Sequence, residues 1–274
     1  MQATPDEFMT ICIARQIVDG EVVAQGLATP LVAAGYLLAR RMHAPHLYFV
    51  SAIGQSMCRT PAPLSVTQIE SLWLDKGLSN VGFVNACCDV LPSLQPKEFF
   101  RPAQVDSQGT FNNVAFGKNY LSSRGTQARL RLPGTGGIPD VTTYSSKICM
   151  YVPRHSRLTF VSKLDVCSGL GYSELRHRGF GPCYLVSDMG QFDFAYGRMR
   201  LITYHPHCSI SEIQARTGVE LEIAPDVSAT PEPGAEALRL LREEVDPLGI
   251  RRLELLSGTD RRQLLAEIMV QEHL

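Results

Sequence analysis

Residues 21–54 read "EVVAQGLATPLVAAGYLLARRMHAPHLYFVSAIG". "EVVAQG" (21–26) is a short apolar run closed by glycine, the pattern of a buried strand. "PLVAAGYLLARRMH" (30–43) has helical spacing. Pro30 falls in its first turn, and Arg40, Arg41 and His43 fall in its last, where cations complement the helix dipole. "LYFVSAIG" (47–54) reads as a second buried strand. Strand, helix and strand in this succession predict a parallel pair joined by a crossover, and so an α/β fold.

The neighbouring segments extend the pattern. "PDEFMTICIARQIV" (5–18) has helical spacing through Phe8, Ile11, Cys12 and Ile17, and Asp19-Gly20 ends it. "SVTQIESLWLDKG" (65–77) predicts a helix with Ser65 as N-cap and Gln68 at the capping-box position. "NVGFVNA" (80–86), "EFFRPAQVD" (98–106) and "KICMYVP" (147–153) read as strands. From Cys183 to Pro206, strand-like runs separated by "DMG" and "AYG" predict antiparallel hairpins. "SISEIQARTG" (209–218) predicts a helix with Ser209 as N-cap and Glu212 three residues on. "SATPEPGAEA" (228–237) reads as a linker, followed by helices at about 235–245 and 259–272. The last is amphipathic through Leu264, Leu265, Ile268 and Met269, and suits packing on this chain or on a partner. The expected architecture is an open, mixed, mostly parallel sheet flanked by helices. A domain over 1–227 precedes a linker and C-terminal helices over 228–274.

The 274 residues are 45% hydrophobic and 19% charged, enough to bury a core. A net charge of −1 leaves no electrostatic footprint for nucleic acid or an anionic membrane. The longest apolar run, around Leu27 to Ala39, is broken by Thr29 and Pro30 and is too short to span a bilayer. The polar, acidic start argues against a signal peptide, and the eight scattered cysteines suit reduced thiols; both predict a cytoplasmic protein.

Several stretches carry candidate chemistry. "LPGTGGIPDVTTYSS" (132–146) places Gly134, Thr135, Gly136 and Gly137 between a strand and a helix start. Backbone N–H groups there suit a negative oxygen, but a tight turn needing positive φ fits equally well. The spacing matches neither GxGxxG nor the P-loop. In "DSQGTFNNVAFG" (106–117), Asn112 and Asn113 suit a ligand carbonyl or an Asx-type turn, and the turn is favoured. "LRHRGFGP" (175–182) suits phosphate binding or a solvated loop, with the loop favoured. His205-Pro206-His207-Cys208 is too cramped for a zinc site and no second ligand pair completes it, so no metal is expected. Cys87 and Cys88 read as buried. Cys58, past the second strand, is a weak candidate nucleophile.

Taken in order, several segments resemble the class I CoA-transferases, in particular the β-type subunit of the glutaconate CoA-transferase type. They are "IARQIVDGEVVAQGLATPL", "HAPHLYFVSAIG", "AQVDSQGTFNNVAFG", "PGTGGIPDVTTYSS", "DVCSGLGY", "LVSDMGQFDF", "YHPHCSISEIQARTG" and "LRLLREEVDP". They span roughly residues 6 to 247. The resemblance implies an open α/β sheet of the kind shared with sugar-phosphate isomerases. It also implies an α-type partner subunit in a heterodimer or heterotetramer, and an acyl-CoA substrate. Coenzyme A would enter as part of that substrate, with no separate cofactor. Gly54, Arg101, Gln104, Asn112 and the loop Gly134, Thr135, Gly136 and Gly137 are the implied substrate and CoA contacts.

The chain departs from the family where the chemistry is done. Transferases attack the thioester with a glutamate at the end of the second strand. Anchoring on "HAP" (43–45) and Gly54 places Ala52 there, and no Asp or Glu lies between Glu21 and Glu70. Ser51 is adjacent but needs a base. Arg101-Pro102 stands where the family prefers small residues. Relatives without the glutamate resemble acyl-CoA hydrolases that cleave a carbon–carbon bond, as in opening the last steroid ring, or decarboxylases of glutaconyl-type CoA esters. The implied function is a β-type subunit with one of these activities, the general base coming from the partner. The alternatives are a transferase using an unusual route and a non-catalytic supporting subunit.

Overall fold

A computed structural model describes the chain except residues 1, 27, 28, 52–55, 118–129, 175 and 274, and gives the backbone alone at 25, 51, 70–72 and 87. In chain order the elements begin α1 (Pro5–Arg15), β1 (Val22–Gln25), α2 (Pro30–Met42), β2 (Tyr48–Ser51), β3 (Ser56–Cys58), α3 (Ile69–Asp75), β4 (Ser79–Asn80), α4 (Phe83–Asn85) and α5 (Leu91–Leu94). Then come β5 (Lys97–Phe100), β6 (Gln104–Val105), β7 (Phe111–Asn112), β8 (Ala115–Phe116), β9 (Leu130–Arg131), α6 (Ile138–Tyr144) and β10 (Ile148–Val152). The rest are β11 (Tyr184–Ser187), β12 (Gly190–Asp193), β13 (Arg200–Tyr204), α7 (Ile210–Arg216), β14 (Glu222–Ala229), α8 (Ala235–Arg239) and α9 (Gly258–His273). The chain forms two units, one of residues 1–88, 96–99 and 231–274, the other of 89–95 and 100–230.

In the first unit the strands lie in the order β4–β3–β2–β1–β5. β1 pairs in parallel with β2 and with β5, while β3 and β4 run antiparallel at the edge. The strand–helix–strand reading of 21–54 is therefore the observed one. α1 and α2 pack closely because residue 35 is glycine. A Cβ there would come within 2.6 Å of Ile13 Cγ2. α2 covers one sheet face, with Tyr36 edge-on to Phe99 at 6.1 Å and its hydroxyl donating to the Lys97 carbonyl at 3.4 Å.

The C-terminal segment is bound into this unit. Glu254 accepts from the Leu31 N–H at 2.9 Å, satisfying a free donor in the first turn of α2. Arg251, buried, forms ion pairs with Asp6 at 2.8 Å, Asp246 at 2.8 Å and Glu7 at 3.3 Å. Glu7 also accepts from Arg242 at 2.6 Å. In α9, Leu264 and Ile268 pack with Ile250 and Leu253, while Met269 stays exposed.

In the second unit the strands run β10–β11–β12–β13–β14, with β10–β11 and β13–β14 parallel and the pairs between them antiparallel. Phe111, Met150, Phe160, Leu185 and Phe192 lie in its core. Two short ribbons, β6–β7 and β8–β9, complete it. The antiparallel hairpins expected over 183–206 and the Ser209–Glu212 capping box are both present. The fold is the α/β class expected, a mixed sheet with flanking helices.

Four local expectations are corrected. The strand expected over 80–86 stops at Asn80, the end of β4; Gly82 takes φ +74° and the chain turns into α4, with Phe83 and Val84 exposed. The segment 98–106 is two strands in different sheets, broken around Pro102, which has no N–H for a ladder. The helix expected from Ser65 begins at Ile69, although Ser65 Oγ accepts from the Gln68 N–H at 2.9 Å as expected and the Val66 and Thr67 N–H groups donate to Glu272 at 2.7 and 2.8 Å. The first residues of the expected linker belong to β14, whose backbone pairing with β13 reaches Ala229.

Candidate active-site elements

In the second unit the glycine loop runs from β9 into α6. Gly134 has φ +112° and Gly136 φ +52°, and a Cβ at either would meet nothing within 4 Å. Glycine is therefore required by backbone conformation, not by a neighbour. Gly137 is the N-cap of α6, and its carbonyl accepts from the Val141 N–H at 3.0 Å. Gly134 and Gly136 are exposed and Thr135 is half-buried. The geometry satisfies both readings of the loop, a positive-φ turn and a solvent-facing set of backbone groups at a helix start.

Gln104 and Asn112 are brought together. They are register partners across β6 and β7, both buried. Asn112 Nδ2 donates to Gln104 Oε1 and to the Ala115 carbonyl, each at 2.8 Å. Asn112 Oδ1 accepts from the Val114 N–H at 2.9 Å. Gln104 Oε1 also accepts from the Asp165 N–H at 3.1 Å, and its Nε2 donates to the Asp165 carboxylate at 3.3 Å. That carboxylate takes the Gly117 N–H at 3.2 Å. Both amides are thus largely spent inside the protein, and the turn reading of Asn112 is the one the geometry bears. Asp106 Oδ1 closes the preceding turn by accepting from the Gln108 and Thr110 N–H groups at 2.9 Å. Arg101 is exposed just beyond β5.

The cluster at 175–182 is a brace, not a free phosphate grip. The Arg176 guanidinium donates to the carbonyls of Leu170 at 2.5 Å, Gly171 at 3.2 Å and Arg178 at 3.1 Å. Two histidines of the second unit, His155 and His205, are also spent. His205 contacts Thr230 Oγ1 at 3.1 Å and the Ser187 carbonyl at 2.9 Å. His155 bridges Ser187 Oγ and Thr217 Oγ1 at 3.0 and 2.9 Å and stacks on Phe160. Burial pushes His155 down to about 3 and His205 down to about 4, so both are neutral near pH 7. Among the described residues no cluster of His, Cys, Asp or Glu could hold a metal.

In the first unit β2 ends at Ser51, paired in register with residue 25 of β1 and with Ser56. Ala52 and Gly54 lie outside the described residues. Cys58 is fully buried, and burial pushes its thiol up to about 11. It stays protonated near neutrality, which removes the basis for reading it as a nucleophile. Cys88, expected inside, is exposed, because the chain at 86–90 continues the surface turn of α4 rather than a buried strand.

Sequence reasoning missed Glu98. It lies in β5 opposite Ala24, which in turn lies opposite Val50, so the three share one sheet face. Glu98 is partly buried, and its carboxyl has no hydrogen-bond or ion-pair partner among the described residues. Burial pushes its carboxyl up to about 7, into the range where an acid can exchange protons at neutral pH. The only sequence signal was a lone carboxylate in an apolar strand, "EFF".

No protein-family model matches the chain. It is 29% identical over 263 residues to the β-type subunit of glutaconate CoA-transferase from Acidaminococcus fermentans, covering 89% of this chain and 93% of that protein. It is 28% identical over 246 residues to the cholesterol ring-cleaving hydrolase IpdB subunit of Rhodococcus jostii, covering 86% and 89%. The fold matches a crystal structure of the decarboxylase AibA/AibB with TM-score 0.78 and 29% identity, over 90% of this chain and 97% of that one.

Proposed function

On the premise that this chain is a β-type subunit of the class I CoA-transferase family, we propose that it works with an α-type partner on an acyl-CoA. The reaction is carbon–carbon cleavage, by hydrolysis or by decarboxylation, and not CoA transfer through a glutamyl anhydride. The observation that carries this reading is a stretch with no carboxylate from residue 22 to residue 69, which includes Ala52, the position the family resemblance assigns to the nucleophile. Ring-cleaving hydrolase and decarboxylase relatives support it.

In hydrolysis water adds to the carbonyl carbon that is released, and in decarboxylation that carbon leaves as carbon dioxide; in either reaction the electron pair of the breaking bond moves onto the thioester carbonyl as an enolate, and a proton returns to carbon. The Gly134–Gly137 loop would present N–H groups to that oxygen, which is differential stabilisation of developing charge. Gln104 and Asn112 would shape the second unit's part of the site by fixing Gly117 and the β6–β7 turn, and Gly54 and Arg101 are further contacts that the family resemblance implies. The partner supplies the general base. Coenzyme A enters as part of the substrate, and no separate cofactor is required. Among the described residues no helix is long and apolar enough to cross a membrane, and a cytoplasmic location suits an acyl-CoA substrate.

The test is mass spectrometry of the assembled α/β complex after incubation with candidate acyl-CoA esters. The expected result is a cleaved or decarboxylated product with no covalent CoA on this chain. A glutamyl-CoA adduct on this chain would restore transferase chemistry. The companion variant is Gly136→Val, which blocks the loop's positive-φ turn. It is expected to lower kcat at least tenfold, about 1.4 kcal/mol in the barrier. Full activity in this variant would favour a supporting role for the chain.

A further inference from the structure

A cavity of about 400 Å³ in the first unit is used by none of the elements above. Its walls include Arg40 and Arg41 from the end of α2, Lys76 after α3 and Glu244, with Pro61 and Val245 among the apolar groups. Three cations face one carboxylate, and that carboxylate is already engaged. Glu244 Oε1 accepts from Arg239 at 3.1 Å, while Arg41 reaches Glu244 Oε2 only at 3.8 Å across a half-exposed gap. The Lys76 ammonium has no hydrogen bond or ion pair to a described residue. Arg40 is held in place by donating to the Arg59 carbonyl. The negative end of α2 is muted, because the Ala39 carbonyl accepts from the His43 and Ala44 N–H groups, both at 2.9 Å.

The position is informative. β1 and β2 are parallel, so α2, which joins them, ends beside the amino end of β2. β3 runs back along β2, with Cys58 opposite Phe49, and so brings Arg59 to Pro63 to that same end. Open α/β sheets bind substrate at the carboxyl ends of their strands. The cavity is at the other end.

We infer that this cavity is a second binding site, for a small organic phosphate whose apolar body lies on Pro61 and Val245 while its phosphate meets Arg40, Arg41 and Lys76. Guanidinium forks match phosphate oxygens in pairs, and a lysine adds a point charge. The volume suits a ligand of mononucleotide size. The site is regulatory, since it stands away from the strand end that carries the reacting position. It depends on no particular reaction of the enzyme.

The test is calorimetric titration of the assembled complex with AMP, phenyl phosphate and inorganic phosphate. AMP and phenyl phosphate are expected to bind at least about tenfold more tightly than inorganic phosphate, since the apolar wall adds to the charge. Arg41→Gln with Lys76→Met, both at partly or fully exposed positions, should weaken both organic probes by about tenfold or more. Turnover of the acyl-CoA substrate without a probe should be unchanged in that variant. Absence of binding at millimolar probe, or binding indifferent to the two substitutions, would overturn the site. A raised KM for acyl-CoA in the variant would overturn the regulatory assignment and mark the cavity as a seat for the substrate's own phosphates.

Discussion

Asn112 faces Gln104 across β6 and β7, giving its amide hydrogen to Gln104 Oε1 at 2.8 Å, with both side chains buried. Because the partners of each amide lie in the protein, the pair holds a ribbon in shape. Asn112→Ala leaves the Val114 N–H without its partner and removes one donor each from Gln104 Oε1 and the Ala115 carbonyl, and the expected loss is about 2–3 kcal/mol. Asn112→Asp should cost at least as much, since a carboxylate would face the Gln104 and Ala115 oxygens. Urea unfolding checks both. A purely ligand-contacting Asn112 would instead lower activity with the unfolding midpoint unchanged.

Glu98 makes a pH prediction with a definite sign. Its folded pKa is raised from 4.5 to about 7, so the folded state binds the proton more tightly than the unfolded chain does. The associated stability is complete below pH 4.5 and is lost as pH rises through about 7. The loss amounts to roughly 3 kcal/mol at about 1.4 kcal/mol per unit. Glu98→Gln should therefore be more stable than the parent at pH 8 and equal to it at pH 4. Parallel thermal melts at the two pH values decide this; equal differences at both would remove the unpaired-carboxyl reading.

His155 and His205 act in the opposite direction. Their folded pKa values are depressed to about 3 and about 4, so the stability they contribute is present above pH 6.5 and is lost as pH falls. Near pH 5 each should cost about 2 kcal/mol relative to neutrality. Denaturation monitored from pH 7 to pH 4 should show this loss, and His155→Gln should reduce its slope. An unaltered slope would place the titration elsewhere.

Arg251 sits among Asp6, Glu7 and Asp246, within 2.8 to 3.3 Å of each. Arg251→Ala would remove the ion-pair partner of the buried Asp6 and Asp246 carboxylates, while Glu7 keeps Arg242, at an expected cost of about 3–5 kcal/mol. The loss should loosen residues 246–254 first, because Asp246 also accepts from the Ile250 and Arg251 N–H groups at 2.7 and 3.1 Å. Hydrogen exchange over that segment is the direct readout. Protection equal to that of the parent would show that the cluster does not hold the segment.

Local pattern was enough where local physics decides. Apolar runs, Pro30 at a helix start and the Ser209–Glu212 box predicted α1, α2, β1, β2, α7 and the hairpins of β11–β13, and these are the elements observed. The ordered family segments pointed to the class, and the absence of any Asp or Glu between Glu21 and Glu70 is legible in the sequence itself. What the sequence could not disclose depends on which distant groups meet. Glu272 takes the Val66 and Thr67 N–H groups ahead of α3 from 206 and 205 residues away. Glu254 completes the start of α2, and Arg251 binds the C-terminal segment to α1. Glu98 becomes a near-neutral acid only because the packing of β5 strips it of water and gives it no partner. Backbone periodicity is written in neighbouring residues. Desolvation and long-range pairing are properties of the folded interior, where charge costs energy unless a partner is brought to it.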